Sequence, residues 1–148
     1  HLADALVANG VVASRDEAFL DLLNNDSKYY VTHAAPTPVD AIGTIRRAGG
    51  VAVIAHPFAS RRGQVITAST FSDLVAAGLN GIEVHHRDQN AQEQETLTAI
   101  AHELTLVITG SSDYHGTGKL NGLAENTTNQ AQWEQLESLA DARRVVKK

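Results

Sequence analysis

Three short apolar runs, each set between helix-like stretches, constrain this chain more than any other feature. They are Val51-Ala52-Val53-Ile54-Ala55, Gly81-Ile82-Glu83-Val84-His85 and Leu106-Val107-Ile108-Thr109. Runs this brief, rich in β-branched residues and bounded by turn formers, read as strands; the unbroken first run reads as one buried on both faces. Between them lie helix signatures. Thr70-Phe71-Ser72-Asp73 has the form of a cap ahead of a helix that ends near Gly78, and Asn90 with Glu93 opens another carrying Leu97, Ile100, Ala101 and Leu104. Strand–helix–strand–helix–strand requires parallel pairing through right-handed crossovers. The expected class is α/β, with three parallel strands in a small open sheet or in part of a barrel.

The first 50 residues have a different texture. Leu2, Leu6 and Val7 mark a short apolar helix face that Gly10 closes. Ser14 and Glu17 stand at capping-box spacing ahead of Ala18, Phe19, Leu22 and Leu23. Thr37, Pro38 and Asp40 open a third helix, stopped by Gly49-Gly50. Lys28 to His33 is short, aromatic and expected to be extended. The chain therefore divides into a helical region, 1–48, and a strand-bearing region, 49–148. A last helix from about Asn129 is expected to turn Trp133, Leu136 and Leu139 inward, with a basic end at Arg143, Arg144, Lys147 and Lys148.

Parallel strands bring their carboxyl ends to one edge of the sheet, where α/β proteins build their sites. The residues delivered there are chemically alike. His56 follows the first strand, Glu83 to His86 end the second, and Asp113 and His115 follow the third. Each has a plain structural alternative: a hydrogen-bonded strand-end histidine, a surface histidine, or an Asp capping a polar turn. Their convergence favours a shared site. If the third strand stays extended through Tyr114, Asp113 and His115 share a face. Two imidazoles and a carboxylate suit a borderline divalent ion, so His56, Asp113 and His115 are the candidate ligands. Glu83 and His85 share one face of a regular strand and His86 the other, which leaves Glu83 and His86 as candidates behind the ligands or facing substrate. Arg61 and Arg62, in the loop after His56, could bind phosphate bidentately, with Lys119 a weaker candidate of the same kind.

Composition sets the outer limits. With 12 Lys and Arg against 17 Asp and Glu, the formal net charge of -5 argues against a duplex-DNA partner. The absence of cysteine excludes disulfides and thiolate zinc sites. No run is long enough to span a membrane and no signal-peptide pattern occurs, which makes cytoplasmic the expected location. The chain opens at His1 inside a helical pattern and contains no Met, as an excised piece of a longer protein would.

Three stretches resemble the polymerase-and-histidinol-phosphatase (PHP) family of phosphoesterases, in order and in register: Gly49 to Pro57, Gly81 to His86, and Gly110 to Gly116. The opening His1-Leu2-Ala3 and Tyr30-Val31-Thr32-His33 resemble the helical insert of a small bacterial branch of that family. The resemblance implies the later half of a distorted (β/α)7 barrel, preceded by the insert and using divalent ions such as Mn²⁺, Zn²⁺ or Fe²⁺. It implies His56, Asp113 and His115 as metal ligands and His1 and His33 as phosphate contacts. The implied activity is hydrolysis of phosphate esters by metal-activated water, on a nucleoside 3′,5′-bisphosphate or the 5′ end of short RNA. The family's earlier ligands, a His-x-His pair among them, are absent. The chain alone is accordingly expected to be inactive, and to associate with itself or with a missing amino-terminal half. The alternative is a non-catalytic relic serving as a binding or interaction module.

Overall fold

The computed structural model describes residues 2–32, 34–59, 66–116 and 119–141. His1, His33, Arg61 and Arg62 lie outside the described residues. The chain forms two units, His1–Ala35 and Pro36–Lys148.

The first unit is helical. Helix α1 (Leu2–Ala8) is followed by α2 (Arg15–Glu17), which runs directly into a π-helical turn, Ala18–Leu22. Ser14 caps α2 by accepting from Glu17 N, and the Glu17 carboxylate reaches back to Ala13 N rather than to Ser14 N. Such a cap stabilises a helix end by about 1 kcal/mol. The Arg15 guanidinium donates to Asp4, tying α2 to α1 and holding the Asp4 carboxyl below the usual carboxylate range. Ala3, Val12 and Ala18 form its small core. In the 28–32 segment, expected to be extended, Lys28 and Tyr29 lie in a turn and residues 30–32 join no strand, because nothing in their own unit offers a ladder.

The second unit contains a parallel sheet in the order β1 (Val53–Ile54), β2 (Gly81–His85), β3 (Val107–Gly110). Helix α3 (Pro38–Arg47) precedes the sheet, α4 (Thr70–Ala76) and α5 (Ala91–Glu103) are the crossovers, and α6 (Gln130–Ser138) follows. Thr37 and Asn90 cap α3 and α5 as their spacing predicts, Asn90 in a complete capping box with Glu93. At α4 the helix starts one residue earlier: Ser69, not Thr70, is the cap residue, and it makes no side-chain bond to the helix. Phe71, Leu74, Ile82, Val84, Leu97 and Ile100 form the main core. Burying a side chain as large as Phe71 or Leu97 completely contributes about 1.5–3 kcal/mol.

The strands are unequal. β2 is buried over Gly81–Val84, as the middle strand must be. β1 is only two residues long and half-buried, so the reading of its run as a strand buried on both faces does not hold in this unit. The outer edge of β3 is sealed by side chains: Gln132 accepts from Ile108 N, and Thr128 both accepts from Gly110 N and donates to Gly110 O. Sealing an edge in this way blunts further pairing. That task explains α6, whose Trp133 and Leu139 stay exposed and which buries no residue fully.

Gly110 ends β3 where the chain is tightest. A Cβ there would lie 2.7 Å from Thr127 O and 2.8 Å from His85 Cβ, and neither neighbour is the free end of a flexible side chain. Gly110→Ala should therefore lower stability by about 1–3 kcal/mol, read from chemical denaturation.

Candidate metal centre

The three strand ends converge on one cluster. Ligand atoms of His56, His86 and Asp113 all lie within 4.8 Å of one another. Each arrives by a different local device. After β1 the backbone turns at His56 (φ 30°), and Ala59 N donates to His56 O to close the turn. Phe58 N in the same turn donates to the buried Gln89, whose amide in turn donates to the Glu83 and Val84 carbonyls. β2 carries a bulge between Glu83 and His85, with Glu83 opposite Thr109 and His85 opposite Gly110. One extra residue re-aims the side chains beyond it. The bulge makes Glu83 and His86, which a regular strand sends to opposite faces, both reach His56, while His85 is left exposed.

β3 stops at Gly110, so the extended conformation does not persist to Tyr114. Asp113 adopts φ 48° and is held from below by its neighbours. Ser112 exchanges hydrogen bonds with Asn126, and the buried Asn121 donates to Ser112 O (2.7 Å) and Asp113 O (3.3 Å). Arg87 donates to Asn121 from the β2 side. His115 is exposed and reaches Asp113 through a turn rather than through strand periodicity: its Nδ1 lies 2.7 Å from Asp113 O and 3.4 Å from Asp113 Oδ1. Lys119 Nζ sits 2.5 Å from Asp113 Oδ2. Two candidate site residues thus hold left-handed backbone, which costs a non-glycine residue of order 1–3 kcal/mol when surroundings impose it. The surroundings doing so here are the Gln89 and Asn121 networks, neither of which the spacing of the sequence announces.

Glu83 is buried and spans the cluster from behind. Oε2 accepts from His56 N at 2.7 Å, and Oε1 accepts from Ser111 Oγ at 2.5 Å. One carboxylate on the middle strand therefore fixes the ends of both flanking strands. His86 is fully buried; its ring lies 4.7 Å from that of His56, centroid to centroid. Its Nδ1 accepts from Asp88 N (3.1 Å). Its Nε2 has no hydrogen-bond partner among the described residues and faces Asp113 Oδ2 at 3.6 Å, beyond hydrogen-bond range. A buried ring nitrogen left without a partner costs about 1–3 kcal/mol, which a bound ion or anion offsets. His56 and Asp113, with His115 beside Asp113, carry the two imidazoles and the carboxylate that would suit a divalent cation.

Removing the Glu83 carboxylate strands a buried N–H. Glu83→Ala should cost about 1–3 kcal/mol of stability and roughly 10- to 100-fold in divalent-metal affinity. Glu83→Gln, able to accept from His56 N and donate to Ser111 Oγ, should lose much less of both. Denaturation and metal titration of the two variants measure the difference.

No family model matches the chain. It is 33% identical over 119 residues to a 3′,5′-nucleoside bisphosphate phosphatase of Chromobacterium violaceum, covering 80% of this chain and 42% of that protein. It is 33% identical over 112 residues to a phosphoribosyl 1,2-cyclic phosphate 1,2-diphosphodiesterase of Eggerthella lenta, covering 76% and 35% respectively. Among solved structures it is similar to a protein of Bifidobacterium adolescentis provisionally named a metal-dependent phosphoesterase. That match has a TM-score of 0.86 and 38% identity, and covers 94% of this chain and 49% of the other. The chain spans less than half the length of the curated relatives it matches. With a parallel sheet, a His/Asp cluster at its carboxyl edge and phosphate-ester hydrolases as relatives, the chain belongs to the PHP-type phosphoesterases.

Proposed function

We propose that this chain supplies one wall of a metal-dependent phosphoesterase site acting on nucleotides, with His56, Asp113 and His115 as metal ligands. The observation that carries the reading is the cluster of His56, His86 and Asp113 at the ends of three parallel strands, backed by the buried Glu83 carboxylate. Within the cluster the Asp113 carboxylate suits a cation; His115, outside the cluster by distance, sits beside it with Nδ1 2.7 Å from the Asp113 carbonyl, which leaves Nε2 as the nitrogen a metal would take. A divalent ion there would supply Lewis-acid polarisation of a phosphoryl oxygen and acidify a nearby water. This chain's own part is to fix the ligands: Glu83 and Gln89 lock the His56 turn, and Asn121 with Ser112 locks the Asp113 turn. Lys119, paired with Asp113, is a further candidate to meet a phosphate oxygen.

The substrates we take from the relatives are a nucleoside 3′,5′-bisphosphate or the 5′ end of a short RNA, with Mn²⁺, Zn²⁺ or Fe²⁺ as the ion; Arg61, Arg62, His1 and His33, outside the described residues, remain proposed substrate contacts. In this reading β1–β3 are the later part of a distorted (β/α)7 barrel and residues 1–48 its helical insert. Support for the barrel comes from the match to about half of a longer neighbour. β3 is sealed by Gln132 and Thr128, which leaves the β1 side as the edge open to further strands.

Phosphate release from a nucleoside 3′,5′-bisphosphate by the full-length protein with Mn²⁺ tests the reading. The Asp113→Asn, His115→Gln double variant should lose at least roughly 100-fold in kcat/KM, about 3 kcal/mol of transition-state stabilisation. Unchanged turnover in that variant would overturn it.

A further inference from the structure

His86 belongs to the same cluster by distance, yet its hydrogen bonds give it the opposite chemistry to His115. At His86 the partner of Nδ1 is a backbone N–H, from Asp88. An amide can only donate, so Nδ1 must be the lone-pair nitrogen and the ring proton must sit on Nε2. At His115 the partner of Nδ1 is the Asp113 carbonyl, which can only accept, so a proton sits on Nδ1 and, in the neutral ring, Nε2 carries the lone pair. One ring therefore turns a lone pair outward and the other turns an N–H. A metal needs the lone pair; an N–H needs an acceptor.

We infer that His86 is not a metal ligand but an anion-recognising donor, its Nε2–H aimed at an anionic oxygen held beside His56 and Asp113. This rests on the phosphoesterase reading for the identity of that oxygen, a phosphoryl oxygen of the substrate or of product phosphate. The geometry suits the role. Nε2 is fully buried and has no hydrogen-bond partner among the described residues, and Asp113 Oδ2 at 3.6 Å is too distant to take its proton. The ring cannot swing away, being packed at 4.7 Å against His56 and pinned at Nδ1. A donor fixed in a dry site with no reorganisation left to make is the arrangement that stabilises charge on a transferring group. It also settles why two adjacent histidines, His85 and His86, differ: the bulge in β2 leaves the first exposed and sends the second inward.

The test uses the full-length protein with ¹⁵N-labelled histidine. NMR of the wild type should place the His86 proton on Nε2; a proton on Nδ1 overturns the inference. Two variants then separate donor from ligand. Gln places an amide N–H near Nε2, whereas Asn keeps an acceptor near Nδ1 and has nothing at Nε2. Both His86→Gln and His86→Asn should bind Mn²⁺ within about threefold of wild type, while inorganic phosphate binding to the Mn²⁺-loaded protein falls roughly 10- to 100-fold in His86→Asn only. Loss of a bound metal in both variants overturns the inference, as does phosphate binding unchanged in His86→Asn. Because these readouts are protonation, metal and phosphate binding, they stand apart from hydrolysis: absence of turnover with the binding pattern as expected would sink the phosphoesterase reading and leave the role of His86 in place.

Discussion

The carboxylate of Glu83 holds this sheet edge together. It sits on the middle strand, is buried, and accepts from His56 N on one side and Ser111 Oγ on the other. A buried carboxylate is unfavourable unless its oxygens are taken up by donors, and each donor here comes from a different strand end. The arrangement couples three segments that are 27 and 28 residues apart along the chain. A short two-residue β1 could not fix the direction of His56 by ladder bonds alone. Glu83 supplies what the ladder lacks.

Around that anchor the site is built from turns, not from strand periodicity. His56 and Asp113 both take left-handed backbone, and the bulge in β2 puts the register out of step just before His86. Each departure from ideal geometry is over-determined by a buried amide: Gln89 beneath the first turn, Asn121 beneath the second. Local strain at a site is stable when the surrounding polar network is fully paired. The side chains without full pairing then stand out, and here the one such buried atom is His86 Nε2 among the described residues.

The asymmetry of the sheet bears on how the site is completed. Side chains from 128 and 132 take up the outward groups of β3, while β1 is left as the short, half-buried edge. Backbone groups at an edge seek partners. In relatives more than twice as long as the matched stretch, further chain is available to pair there.

Much of this was legible in the residues themselves. Apolar runs at 51–55, 81–85 and 106–109, with caps at Thr37 and Asn90, suffice for the helix–strand order and for parallel pairing, because these depend on local propensity and on the handedness of crossovers. The placing of His56 and Asp113 at one edge follows from topology alone. What the sequence could not decide depends on contacts made across it. The bulge that sends His86 inward and leaves His85 exposed, the turn rather than a strand at Asp113, and the tautomers of His86 and His115 are each set by a partner distant in space or by a backbone group with no side-chain signature. Periodicity can say which residues arrive at an edge. Only the tertiary structure decides which atom of each is turned inward, and whether it brings a lone pair or a proton.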